Sequence, residues 1–235
     1  MHDVLTPGCA ITNHLLNTTC YTPFQLGLNL VASARWVAAY VYLLVLVKKH
    51  KNIEMPMAAA MGNIAWELLW SVSFKGNMGA LLNWGVRAWL FLDVFIAYCV
   101  YKYAVKQIDT PLIRKYRGPL MFGMFLAWGA FFYTFTAQGF DTPMGAHSAL
   151  ILNQVMSVLY LAQSLRPQSG GFHSVEIAIC KGLGTGLFTL FIFVATPTDY
   201  LSMTLGATIF MIDTLYTIRI WYTNRSLRIA DGRLW

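Results

Sequence analysis

Apolar residues along this chain run in long blocks broken by short polar connections. Seven blocks lie at about 26–47, 55–74, 81–103, 119–137, 144–165, 178–195 and 199–222, each near the roughly 20 residues a helix needs to cross a bilayer. The pattern predicts an all-α fold, a seven-transmembrane-helix bundle over 26–222. A tail, 1–25, precedes it, and a basic tail, 223–235, follows. No linker is long enough to divide the span into two domains. The two longest connections, about 104–118 and 166–177, carry Pro111 and the run Arg166-Pro167-Gln168-Ser169-Gly170-Gly171, which suit solvated turns at the headgroups.

Composition supports a lipid setting. Of the 235 residues, 57% are hydrophobic and 11% charged, whereas soluble domains carry roughly a quarter charged. A core of this size cannot hide that much apolar surface from water, so the bilayer is the solvent for much of it.

The net charge of +7 suggests an acidic partner until its distribution is considered. Basic residues follow the first block (Lys48, Lys49, Lys51), surround the third connection (Lys102, Lys106, Arg114, Lys115, Arg117), flank the fifth (Arg166, Lys181) and close the chain (Arg219, Arg225, Arg228, Arg233). The alternate connections hold only Lys75, and the first 25 residues hold no Lys or Arg. By the positive-inside rule the N-terminus lies outside or in a lumen and the C-terminus in the cytoplasm. An odd number of spans is required, and seven satisfies it. The charge is then topological, and nucleic acid has no place.

The tail lacks the basic start and apolar core of a signal peptide. Cys9 and Cys20 both lie in it, on the side where a disulfide is permitted. Asn17-Thr18-Thr19 has the pattern of a glycosylation acceptor. The five histidines are dispersed, and none stands at metal-ligand spacing from a cysteine; no metal site is expected. An offset of 120 residues maps the first three spans onto the last three, pairing Gly62 with Gly182 and Asp93 with Asp213. This is the register of a parallel repeat of three-plus-one-plus-three build.

Five charged groups fall within the spans: Arg35, Glu67, Arg87, Asp93 and Asp213. Each costs roughly 2.5–3.5 kcal/mol at a helix centre on insertion scales, so a functional role is the first reading. Asn63, Glu67 and Trp70 share a helix face. Burial strips the Glu67 anion of solvation and favours the protonated acid, a candidate general acid. The indoles of Trp66 and Trp70 offer faces that stabilise a cation. Asp213, with Tyr216 one turn on, is expected to face the same cavity from the last span. Asp93, with Trp89 one turn before it, pairs on this reading with Arg35. Arg87 lies nearer the outer face, where it snorkels. Asn153, Gln154 and Ser157 form a polar cluster in the fifth span.

Asn63-Ile64-Ala65-Trp66-Glu67 resembles the Asn-x-x-Trp-Glu signature of the membrane-integral terpene cyclases of fungal meroterpenoid and indole-diterpene biosynthesis, which have bacterial relatives. Trp89-x-x-x-Asp93, Asn153-Gln154-x-Met156-Ser157, the turn from Arg166 to Gly170, Gly184-Thr185 and Asp213-x-x-Tyr216 are similar in kind and order, over residues 30 to 222. The resemblance implies a cyclase that protonates a terminal epoxide or alkene of a linear prenylated small molecule and directs cationic polycyclisation, with Glu67 and Asp213 as the acids. Asn63, Trp66, Trp70, Trp89, Asp93, Asn153 and Tyr216 would then contact substrate. It implies no cofactor, and a place in the endoplasmic reticulum of a eukaryote or the inner membrane of a bacterium. The chain has neither an Asp-Asp pair nor Asp-x-Asp-Asp, which sets aside diphosphate ionisation through magnesium.

The competing reading is a small seven-helix transporter, since Pro167-Gln168 is similar to the turn of some sugar carriers. Its partner turn is missing: the position at the 120-residue offset reads Val47-Lys48. A retinal protein needs a lysine on the last span, and 199–222 has none.

Overall fold

The computed structural model describes residue 9 and residues 11–104, 110–166 and 173–230, with side chains to residue 226. Lys106, Arg233 and the turn following Arg166 lie outside the described residues. Among those described the fold is all-α: α1 Pro23–His50, α2 Met57–Val72, α3 Ala80–Tyr103, a short α4 Pro111–Lys115, α5 Arg117–Ala137, α6 Ala146–Ser164, α7 Val175–Ala195 and α8 Tyr200–Ala230. Starts are set locally. Thr22 and Gln25 cap α1 reciprocally, with Pro23 at its first position, and Ser174 accepts the Ile177 amide at the start of α7.

Five helices (α1, α3, α5, α7 and α8) are long and apolar enough to cross a membrane by length and composition. The two other long helices differ for a physical reason. With 16 residues α2 is short, and α6 carries Ser148, Asn153 and Ser157 among its buried positions. Each is wrapped by neighbours, so its polar side chains find protein rather than lipid.

Helix contacts form a ring in the order α1, α7, α8, α6, α2, α3 and back to α1, with the seam between α1 and α3 the thinnest. Outside it, α5 packs on α2. Its Trp128 donates to the Ala58 carbonyl at 3.1 Å and stacks on Phe132. Gly62 permits this approach, because a Cβ there would overlap Leu152 and press on Trp128.

The connections alternate between two ends of the bundle. At one, the tail is strapped to the α2–α3 loop. The Ala80 and Leu81 amides donate to the His14 and Leu15 carbonyls at 2.9 and 3.0 Å, and the Asn17 amide to Met78 at 3.1 Å. Asn17 is 1% exposed; its side chain donates to the Asn77 carbonyl at 2.7 Å and accepts from Thr19 at 2.6 Å. The glycosylation pattern is thus a buried turn in the folded protein. Cys9 and Cys20 are bonded. We call this the tail end. The other, where Lys48, Lys49 and Lys51 finish α1, is the basic end.

Gly79 sits at φ +113°, where a Cβ would stand 2.8 Å from the Leu15 carbonyl oxygen. Gly79→Ala is expected to lower stability by about 1–3 kcal/mol, read as a fall in thermal midpoint in detergent. Gly129→Ala, with open space around it, should leave the midpoint unchanged or raise it.

Candidate active site

A cavity of about 200 Å³ runs from the tail-end loops to the middle of the bundle. Met78 and Asn83 border its loop end, and it reaches inward to Tyr40, Asn63 and Glu67. Four indoles wall it: Trp36 of α1, Trp66 and Trp70 of α2, and Trp89 of α3. None of its lining residues is Lys, Arg or His.

The acid end is built by one turn of α2 against α1 and α3. Asn63 and Glu67, four apart, project together. Asn63 donates to the Tyr40 hydroxyl at 2.7 Å. Asp93 of α3, 0% exposed, lies beside Glu67, Asn63 and Tyr40. Neither Asp93 oxygen makes a hydrogen bond of ordinary geometry, and Glu67 Oε2 likewise has no partner. Asp93 thus brings a second carboxyl group to Glu67, and no Lys, Arg or His is among the cavity's lining residues. Trp70 Nε1, Trp89 Nε1 and Asn153 Oδ1 are also buried without protein partners, and all three residues line the cavity. These unsatisfied polar atoms gather on one chamber.

The aromatic wall is held from the tail end. Trp66 and Trp70 stack with ring centres 5.7 Å apart. Trp66 Nε1 donates to Ser148 Oγ at 2.7 Å, and Ser148 donates in turn to Asp141. The amides of Thr142, His147 and Ser148 converge on the other Asp141 oxygen. Gly145, at φ +77°, lies flat against both indoles; a Cβ would come within 2.6 Å of Trp70 and 2.9 Å of Trp66. His147 stands between the Phe140 carbonyl at 2.7 Å and Asp199 at 3.0 Å. Burial opposes ionisation of Asp199, but the bonds from His147 and Ser202 outweigh it and hold the carboxyl below its usual range.

The expected partnership of Glu67 with Asp213 is not what the structure shows. Asp213 is 1% exposed and is not among the cavity's lining residues. Lys181 donates to its two oxygens at 2.5 and 2.7 Å, and to Ser157 at 2.5 Å. This lysine, assigned from sequence to the edge of a connection, is 2% exposed inside α7, two turns from its start. The pair touches the chamber indirectly. Asn153 donates to Thr185 at 3.1 Å, and Thr185 borders Asp213. Lys181 Nζ lies 5.5 Å from the centre of the Trp36 ring, which Gly184 accommodates by lacking a Cβ.

Tyr216 is also absent from the lining; its hydroxyl faces His173 and Glu54. Arg35 is exposed on α1 while Asp93 faces Glu67, so the two do not pair. Arg87 donates to the Ser71 carbonyl at 3.4 Å and covers the Trp84 ring. Asn63, Trp66, Trp70, Trp89 and Asn153 do reach the chamber, with Glu67. Asp93 meets Glu67 at its edge.

An all-helical membrane protein with an indole-walled, acid-ended chamber is suited to handling an apolar small molecule within the bilayer. Its family is explicit: residues 16–226 match the Pyr4-like transmembrane terpene cyclases, and the chain belongs to that family. Neither the comparison with curated proteins nor that with solved structures gave a match. Membership makes the chain an integral membrane protein with a small-molecule substrate, and gives no support to the transporter reading.

The Lys181–Asp213 pair sets a stability test. Removing one partner of a buried pair costs about 3–5 kcal/mol, because the other charge is left unmatched. Lys181→Met and Asp213→Leu should each lower the thermal midpoint sharply, and the double variant should recover most of the loss.

Proposed function

We propose that this protein is a proton-initiated cyclase in which Glu67, backed by Asp93, protonates the terminal epoxide or alkene of a linear prenylated substrate. The observation that carries the reading is the Glu67–Asp93 contact at the inner end of a chamber walled by four indoles. On this reading the two carboxyl groups hold one proton between them, and it supplies the acid. A donor must come within roughly 2.6–3.2 Å of the group it protonates, or act through one water. The ring faces stabilise the cation that travels along the chain as internal alkenes attack it, and the apolar walls keep water from quenching it. Proton loss to form an alkene ends the cascade.

The lining also bears on the substrate. No Lys, Arg or His is among the described residues that line the chamber, and on this reading the head group is uncharged. The cavity is slender beside ligand clefts of ~300–1,000 Å³, which suits a prenyl arm lying toward Glu67 with its head group at the loop end, near Asn29 and Asn83. In this reading Asp213 acts at one remove. Held by Lys181, it positions Thr185 and Asn153 along the wall.

We further read the seven long helices as seven spans, with the tail outside or in the lumen of the endoplasmic reticulum, or outside the inner membrane in a bacterium. The order of the ring favours the repeat as well. Exchanging α1, α2 and α3 for α6, α7 and α8 turns the ring order into itself, with α5 left over. In sealed vesicles of native orientation, protease should cleave a tag on the N-terminus and spare one on the C-terminus; the reverse result removes this topology.

Glu67→Gln keeps the shape of the site but has no acidic proton to donate. It should fold, as judged by an unchanged thermal midpoint, and lose about 10²–10⁴-fold in turnover, the usual worth of a positioned acid. Folded Glu67→Gln with wild-type turnover would discard the assignment. Gly145→Ala, which forces the Trp66–Trp70 stack to shift, should change the ratio of cyclised products more than the overall rate.

A further inference from the structure

The segment that seats the indole wall is itself held by a side chain that faces two ways. His147, the second residue of α6, has Nδ1 2.7 Å from the Phe140 carbonyl oxygen. Its Nε2 lies 3.0 and 3.2 Å from the two oxygens of Asp199. Asp199 is anchored in turn, because it accepts the Ser202 amide at 3.1 Å at the start of α8. One ring therefore ties together the loop after α5, the start of α6 and the start of α8. Asp199 and Asp141 are the charged groups beside it. The ring is 18% exposed, so it can exchange a proton with water.

Both partners of the ring are acceptors. A carbonyl oxygen and a carboxylate each require an N–H, and a neutral imidazole has only one. The imidazolium satisfies both; a neutral ring must turn a bare lone pair toward one of them. What this clasp holds lies within two residues of it. Gly145 lies flat against Trp66 and Trp70, and Ser148 accepts from Trp66 Nε1 at 2.7 Å. The His147 and Ser148 amides share one Asp141 oxygen, and the Ser148 hydroxyl donates to the other. Every link from Asp199 to the indole is thus a hydrogen bond or a single peptide step. Movement of His147 away from Asp199 carries Gly145 and Ser148 with it and turns the stacked rings.

We propose that His147 and Asp199 position the Trp66–Trp70 stack, so that the ratio of cyclised products follows the protonation of His147, an inference that rests on the cyclase reading. The ratio is decided after the acid has acted, when one cation chooses among competing ring closures and proton losses. The indole faces stabilise those alternatives unequally, so their angle sets the partition. Titration of the initiating acid changes how many molecules start and leaves their partition alone. His147 exchanges its proton with water and gives none to substrate.

The test uses the full chain reconstituted in vesicles, from about pH 5 to 9. A neutral farnesyl-arene bearing a terminal epoxide and its alkene counterpart serve as probes. The wild-type product ratio should shift by about three-fold or more as pH rises, since small differences between competing barriers set it. His147→Gln puts an amide nitrogen near the place of Nε2, which keeps a donor toward Asp199 with nothing to titrate. Its ratio should stay near the low-pH wild-type value throughout. His147→Asn puts the nitrogen near the place of Nδ1, loses Asp199 and should give the high-pH ratio at every pH. Near-ultraviolet circular dichroism of the substrate-free protein gives a second readout, the stack being isolated by subtracting Trp66→Phe. Its signal should change over the same pH range in wild type and stay constant in His147→Gln. A wild-type ratio and stack signal that ignore pH overturn the clasp, as do equal ratios in folded His147→Gln and His147→Asn. Folded wild type that converts neither probe, while its stack signal follows pH as described, rejects the cyclase reading and leaves the clasp standing.

Discussion

A carboxyl group buried in protein must be neutral or partnered, and the arrangement of this bundle follows from meeting that demand three times in three ways. Glu67 and Asp93 meet it by standing together. Asp213 meets it with a lysine 2.5 Å away. Glu54 accepts from a tyrosine and a backbone amide near the basic end. Each solution draws in side chains from neighbouring helices, so the polar groups help determine which helices adjoin. The polar side chains of α2 and α6 are among their buried positions, turned toward neighbouring helices.

The three solutions differ in what they leave available for chemistry. A carboxylate bound to an ammonium by two hydrogen bonds has nothing to give. Glu67, on the indole-walled chamber with Asp93 beside it and no Lys, Arg or His among the lining residues, carries no such tie. The indoles complete the contrast. Trp66 and Trp70 are fixed by Ser148, Asp141 and the bare backbone of Gly145, so the aromatic faces are set before a substrate arrives. Preorganised surroundings of this kind need no rearrangement as charge develops.

Much of this was legible in the sequence. The apolar blocks announced an all-α protein, with five helices long and apolar enough to cross a membrane among the described residues, and Glu67, Asn63, Trp66 and Trp70, picked out within one apolar stretch, line the chamber. What the sequence could not supply was the direction in which a side chain points. In a membrane helix both the lipid face and the packed face are apolar, so the periodicity that orients a soluble helix is lost. Hence Arg35, central by position, was matched to Asp93, yet it sits on the exposed side of α1. Lys181 reads as the edge of a connection when the apolar run begins at 178; the Ser174 cap starts α7 earlier and puts the lysine inside the helix. Glu54, His173, Asp141 and Asp199 lie at helix ends, where a charge is ordinary, and only the fold brings them to their partners.

The strap at the tail end carries a consequence for how the molecule is made. Residues 14–17 are synthesised before α1, yet their backbone partners are Met78, Ala80 and Leu81, which follow α2. The tail must therefore wait, unsatisfied, until two helices and the start of a third have left the ribosome. Only then can it seat against the loop that borders the chamber and fix Met78 beside Asn29. A segment made before α1 is thus among the last to settle, and a change within it would burden the completion of the chamber rather than the insertion of the helices.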